Sequence, residues 1–231
     1  MLYVISTPIG NLEDITLRAL NMLFSMDYIL CEDTRKTLTL LKHFQKEGFV
    51  IPKLISYFEE NEYKRIPEII SDLKEGKEIG LVSNAGTPTI SDPGFKLVRQ
   101  CVSENIKIVP IPGASSVIAA LSASGLPTDK FLFIGFPSNK KITREKLFSE
   151  TKFSLEKLSS TVIFFEAPFR IIESLESLLS VFGDIEIVVA REITKVFEEF
   201  KSGKISEIIS YYKQKGVKGE FVVIFNLKDS S

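Results

Sequence analysis

The sequence predicts an α/β protein of two domains, the first built on a largely parallel sheet with flanking helices and the second on a mixed sheet with helices. Three observations predict it. From the first residue to about residue 190, short apolar runs rich in Ile, Val, Leu and Phe alternate with longer amphipathic stretches. The runs are continuous rather than alternating, the pattern of strands covered on both faces and joined by crossovers long enough for a helix. The last third then breaks the rhythm, with two strand-like runs flanking a single helix.

Taken in order, the strands fall at Leu2 to Ser6, Tyr28 to Glu32, Lys53 to Tyr57, Glu78 to Ser83, Ile106 to Val109, Phe131 to Phe136, Thr161 to Glu166 and Glu186 to Ala190, with helices between nearly all of them. Val196 to Lys201 and Glu220 to Asn226 complete the mixed sheet. Pro110-Ile111-Pro112-Gly113 interrupts the periodicity and removes backbone donors, so the domain boundary is placed there, giving domains 1–113 and 114–231. No repeat, low-complexity tract or long linker is visible.

With 44% hydrophobic and 26% charged residues in 231, the composition is that of an ordinary globular chain and excludes disorder. No apolar run approaches the roughly 20 residues that span a bilayer, and the N-terminus lacks the basic region of a secretory signal, so a cytoplasmic location without membrane contact is expected. Cys31 and Cys101 sit in apolar surroundings and are expected as buried free thiols. A formal charge of −1 exerts no strong pull on polyanions, so nucleic acid contact must come from local basic clusters such as Lys140, Lys141, Arg144 and Lys146, or Arg35 to Lys46.

A single histidine, His43, and unpaired cysteines argue against a zinc site or a histidine-based triad, and no metal is expected. Neither a Walker loop nor a dinucleotide fingerprint is present. What remains are four turns rich in small and polar residues at strand ends. They are Ser6 to Asp14, where Asn11 and Asp14 are placed to cap a helix; Cys31-Glu32-Asp33-Thr34-Arg35; Ser83 to Gly94; and Pro112-Gly113-Ala114-Ser115-Ser116, opening a helix of small residues. Each has a bland reading as a strand-to-helix connection, and Asp92-Pro93 reads as an N-cap followed by the first helical residue. Charges at a strand's carboxyl end nevertheless lie where open α/β sheets bind ligands.

In order along the chain, these turns resemble the tetrapyrrole methylase superfamily and, within it, the ribosomal RNA 2′-O-ribose cytidine methyltransferases. The likeness runs through Thr7-Pro8-Ile9-Gly10-Asn11-Leu12, Glu32-Asp33-Thr34-Arg35, Ala85 to Gly94, Pro112 to Ser116, Phe133 to Pro137, Phe165 to Arg170 and Ala190 to Lys195. It implies an S-adenosyl-L-methionine-dependent enzyme with its ligand cleft between two α/β domains. The implied substrate is a decoding-site cytidine of 16S ribosomal RNA within the small ribosomal subunit, and the implied assembly a homodimer. Carried over by motif, Pro8, Ala85, Gly86, Thr87, Ile90, Ser115, Ser116, Phe165, Glu166 and Ala167 wall the donor, with Ala190 and Glu220 to Val223 on the far side.

Methyl transfer is an in-line displacement that gains most from positioning, and the ribose hydroxyl must lose a proton. Glu32, Asp33, Glu166, Glu192 and a desolvated Lys195 are the open candidates for the proton acceptor. Glu32, Arg35 and Lys195 are expected to carry catalysis, with the Glu32 to Arg35 and Arg191 to Lys195 segments facing each other. Three departures from the family pattern stand out: Asn84 replaces a usual aspartate, Phe136 stands where a leucine commonly precedes the proline, and the sequence stops soon after Leu227, which is expected to reduce RNA affinity. Two alternatives stay open: methylation of a tetrapyrrole or corrinoid precursor, and a catalytically silent RNA-binding module.

Overall fold

A computed structural model describes residues 1–227 and separates the chain into two compact units, Met1–Ser115 and a second that begins at Ser116. The first comprises β1 (Leu2–Ile5), α1 (Leu17–Ser25), β2 (Tyr28–Cys31), α2 (Thr34–Phe44), β3 (Lys53–Ser56), α3 (Glu62–Lys74), β4 (Ile79–Val82), α4 (Phe95–Ser103) and β5 (Ile108–Ile111). All neighbours are parallel, in the order β3-β2-β4-β1-β5.

This order dictates where the helices go. Right-handed crossovers that step one way across the sheet lay their helices on one face, and those stepping the other way lay them on the opposite face. Accordingly Ala19 and Leu23 of α1 and Leu41 of α2 pack with Tyr3, Ile5, Ile29 and Cys31 on one side. Ile69, Ile70 and Leu73 of α3 and Leu97 and Cys101 of α4 pack with Leu2, Leu30, Ile79 and Leu81 on the other. Both cysteines are buried and free, as expected of apolar thiols. Adjacent strands β2 and β4 therefore send their chains to opposite faces of the sheet.

The second unit comprises α5 (Ser116–Ala123), β6 (Phe131–Phe133), α6 (Lys141–Lys157), β7 (Thr161–Glu166), α7 (Ile171–Phe182), β8 (Glu186–Arg191), β9 (Glu199–Lys204), α8 (Ile205–Lys215) and β10 (Phe221–Phe225). Its sheet is mixed, in the order β6-β7-β10-β8-β9. β10 lies antiparallel between β7 and β8, filling the gap left by the β7–α7–β8 crossover, and only β6 and β7 are parallel neighbours. Phe148, Leu175, Leu178, Ile205 and Ile208 from α6, α7 and α8 close over Phe164, Val189 and Val223 on one sheet face.

Three strand expectations shift by more than one residue. The fifth strand runs through Pro110 instead of stopping before it, because β5 is an edge strand pairing only with β1, where a missing N–H costs no ladder bond. The sixth ends at Phe133, since Gly135 takes a φ of 66° and Pro137 follows. The ninth starts at Glu199 rather than Val196: Glu192 and Thr194 adopt φ of 51° and 65°, curling the hairpin loop so that Val196 projects 93% exposed. Residues 228–231 of the expected second domain lie outside the described residues. Among the described residues no helix is long and apolar enough to cross a membrane.

Candidate active site

The carboxyl ends of the five parallel strands in the first unit share one edge, and all four small-residue turns leave from it. Three of them are knitted together. Thr7 and Gly86 form a two-way backbone bridge, with Thr7 N–H to Gly86 O at 2.9 Å and Gly86 N–H to Thr7 O at 3.0 Å. The Ser6 and Thr87 hydroxyls meet at 3.0 Å, and Thr87 also donates to Ala114 O at 3.1 Å. Gly113 completes the knot: a Cβ there would lie 2.8 Å from Ser6 Cβ, so only glycine lets the fourth turn lie against the first. Pro8 and Gly86 are buried in this arrangement, Ala85 and Ile90 are exposed, and Ser115 lies partly buried at its edge.

The third turn is under strain. Thr89 and Ser91 adopt φ of 75° and 59°, a left-handed conformation that costs a non-glycine residue about 1–3 kcal/mol and that concentrates at ligand sites. Asp92 is not a helix cap: α4 begins after Gly94, which supplies the N-cap position with φ of 123° and no side-chain bond. Burial pushes the Asp92 carboxyl up to about 6, against the pull of a hydrogen bond from Ser83 and with a further push from the charge of Glu32. Sequence reading missed this residue because Asp-Pro is so good a helix start; the one available signal was its nearness to a turn already dense in small residues.

The second turn borders a hollow at the carboxyl ends of β2, β3 and β4. The hollow has a volume of about 450 Å³ and is lined by Glu32, Asp33, Thr34, Arg35, Ser56, Phe58, Glu60 and Asn84. Asp33 caps α2 by accepting from Arg35 N–H at 2.9 Å, and grips the Arg35 guanidinium through Nε at 3.0 Å and Nη2 at 2.8 Å. The guanidinium, followed by the backbone N–H, holds the Asp33 carboxyl down at about 2. Asp33 is thus a permanent anion that orients Arg35, whose side chain stays 89% exposed. Asn84 Oδ1 is buried in this wall without a hydrogen-bond partner. The hollow therefore presents acceptors, one exposed cation and one aromatic face, a lining suited to a donor-bearing polar ligand.

In the second unit the expected residues behave differently. Glu166 is buried and held by three donors: Oε1 accepts from Ala167 N–H at 2.8 Å and from Arg170 Nη2 at 2.6 Å, and Oε2 accepts from the Ser174 hydroxyl. It tethers the start of α7, and these three bonds commit its carboxylate to holding backbone and side chains there. Phe165 packs against Phe133 at 4.8 Å and Phe136 at 5.3 Å, and Ala167 is partly exposed. Ser116 is the first residue of α5. Lys195 donates to Glu192 and Glu220, each at 2.9 Å. Burial pulls its ammonium down, but these carboxylates outweigh it and the net shift is upward, so Lys195 remains a cation and cannot take a proton near neutrality.

The basic cluster also needs correction. Arg144 is buried at 2% exposure, donating to Ser177 Oγ at 3.0 Å, Ser138 O at 3.2 Å and Glu173 O at 3.3 Å, and is therefore a core staple rather than a surface contact. Lys140, Lys141 and Lys146 are exposed. In the first turn, Asn11 caps only the short 3₁₀ turn Leu12–Asp14, while Thr16 caps α1. His43 is exposed in the last turn of α2. Among the described residues no group of three His, Cys, Asp or Glu side chains is placed to hold a metal ion.

The fold and these turns have relatives. The chain is 44% identical over 228 residues to the ribosomal RNA small subunit methyltransferase I of Thermotoga maritima, covering 99% of each chain. It is 47% identical over 226 residues to the protein of the same name from Rickettsia prowazekii, covering 97% of this chain and 78% of that one. Among solved structures it is similar to the methyltransferase CobJ, with a TM-score of 0.69 at 16% identity, covering 100% of this chain and 96% of that one. It is also similar to the cobalt precorrin-4 methyltransferase CbiF, with a TM-score of 0.66 at 17% identity, covering 96% and 93%. The family model described as Tetrapyrrole (Corrin/Porphyrin) Methylases matches residues 1–209, and the chain belongs to that family.

Proposed function

We propose that this protein is an S-adenosyl-L-methionine-dependent methyltransferase that 2′-O-methylates a cytidine ribose in 16S ribosomal RNA, acting in the cytoplasm on the small ribosomal subunit as a homodimer. The observation that carries the reading is 44–47% identity, over nearly the whole chain, to proteins named for methylating small-subunit ribosomal RNA. Tetrapyrrole methyltransferases share the fold at under 20% identity, which speaks to architecture alone.

The donor supplies an electrophilic methyl group when bound. The first unit offers it the exposed Ala85 and Ile90 beside Pro8, Gly86, Thr87 and Ser115, on a loop whose strained backbone is fixed before any ligand arrives. The small and apolar side chains of Ala85 and Ile90 suit an adenosyl moiety. In the second unit the same reading assigns donor contact to Ser116, Phe165 and Ala167, and gives Glu166 the task of holding the Ala167 backbone.

Glu32, Arg35 and Lys195 divide the remaining work. Glu32 is the carboxylate of the hollow assigned to accept the ribose proton, since Asp33 is held as an ion pair and Glu166 is buried and tied to the start of α7 by three donors. Arg35, aimed by Asp33, offers its exposed guanidinium to phosphate. Lys195 serves as a fixed cation. Cells lacking the protein are expected to lose one 2′-O-methyl mark in small-subunit RNA and to regain it with the wild-type gene but not with Glu32→Gln. A complete methylation map without the protein would overturn the reading.

A further inference from the structure

Glu62 is 3% exposed, yet it takes part in none of the roles above. Its Oε1 accepts from Gly94 N–H at 2.7 Å and from the Tyr57 hydroxyl at 3.2 Å, while Oε2 meets Lys96 Nζ at 3.0 Å. Three donors on one buried carboxylate join two separate stretches of chain. One is the turn after β3, where Asn61 also accepts from Phe58 N–H at 2.9 Å and donates to Ser56 O at 3.1 Å. Ser56, Phe58 and Glu60 of that turn line the hollow. The other is the far end of the strained Ser83–Gly94 loop.

The loop needs anchors at both ends. Strained conformations persist only where the surroundings over-determine them. At the near end the Thr7–Gly86 bridge and the Thr87–Ala114 bond hold it. At the far end, past Thr89 and Ser91, the backbone bond of Gly94 runs to Glu62. Gly94 also seats tightly, since a Cβ there would come within 2.7 Å of Leu81 Cδ2. Removing the carboxylate would leave the buried Gly94 N–H without its acceptor and free Thr89 and Ser91 to relax.

We propose that Glu62 is a positioning residue: its buried carboxylate clamps the donor loop at Gly94 and the β3–α3 turn at Tyr57, so that the loop keeps its donor-binding shape. The role rests on the reading that Ser83–Gly94 walls the donor. It is tested by calorimetric titration of S-adenosylmethionine into the full chain and its variants, with urea midpoints measured in parallel. Glu62→Ala is expected to weaken donor binding about tenfold or more, the loss that accompanies one buried unsatisfied donor. Glu62→Gln keeps a carbonyl for Gly94 N–H and is expected to bind within about threefold of wild type. Leu73→Ala, a core truncation on the same helix, serves as the stability control and is expected to bind as wild type does.

Equal donor binding by Glu62→Ala and wild type, or parallel losses in Glu62→Ala and Leu73→Ala, would overturn the clamp. Failure of Glu62→Gln to rescue overturns it as well. If Glu62→Ala does not fold, Glu62→Asp substitutes: it keeps the charge for Lys96 but withdraws the carboxylate by one methylene, with an expected loss of about fivefold, and unchanged binding is the overturning result. A wild-type chain that takes up no donor overturns the donor reading itself, and is told apart by the wild-type titration alone.

Discussion

At the residue scale, two aspartates of the first unit, Asp33 and Asp92, are pushed in opposite directions by their surroundings. Asp33 is held down at about 2 by Arg35, so it is charged throughout the working range. Asp92 is held up at about 6 by burial. An unfolded aspartate titrates near 3.9, so between roughly pH 4 and 6 the folded chain binds more protons than the unfolded one and stability falls as pH rises. Asp92→Asn, which keeps a hydrogen-bonding group for Ser83, is expected to remove that slope and to raise stability above pH 7 by up to about 2 kcal/mol. Urea midpoints of both proteins from pH 4 to 8 check this; parallel curves would show that Asp92 titrates normally. Such a residue was not legible in the sequence, because its pKa depends on burial and on Glu32, which comes from another strand.

At the scale of elements, the Ser83–Gly94 loop trades stability for shape. Thr89 is β-branched and left-handed, and glycine at that position accepts the same φ without strain. Thr89→Gly is expected to change stability by less than about 1 kcal/mol, since relief of strain offsets the entropy gained by the unfolded chain. Donor binding is expected to fall several-fold, because the loop is no longer confined to one conformation. Thermal unfolding and calorimetry separate the two effects, and unchanged affinity would show that strain has no part in the site. The elements themselves were largely legible: Thr161 to Glu166 is found as β7 with both ends as read, and the other apolar runs lie within a few residues of their strands. The misplacements fall where the backbone bends, at Pro110, Gly135 and Glu192, and there tertiary pairing rather than local propensity decides where a strand stops.

At the scale of the whole molecule, a formal charge of −1 leaves RNA attraction to local patches. Arg144 is withdrawn from that role by burial, leaving Lys140, Lys141 and Lys146 exposed, the last two in weak pairs with Glu145 at 3.7 Å and Glu150 at 3.8 Å. Replacing these three lysines by glutamine is expected to weaken binding to small-subunit RNA and to flatten the slope of log affinity against log salt by about 2–3. Filter binding at several salt concentrations checks it; an unchanged slope would mark them as a solvated helix face. Arg144→Ala belongs to a different class of change. It would empty a buried volume, take the donor from buried Ser177 Oγ and from the Ser138 and Glu173 carbonyls, and act on folding rather than on salt dependence.

The sequence by itself determined the α/β class, the placement of nearly every strand and the four turns that gather at the edge of the first sheet, because hydrophobic periodicity and turn chemistry are local and act over a few residues. The tertiary structure alone decided which polar side chains stay free. Glu166, Lys195 and Arg144 look in sequence like any chemically available group, yet each is committed to partners up to 33 positions away in the chain, whereas Asn84 Oδ1 is left without one. Availability is a property of the space around an atom, and that space is set by the packing of segments that the linear chain keeps far apart.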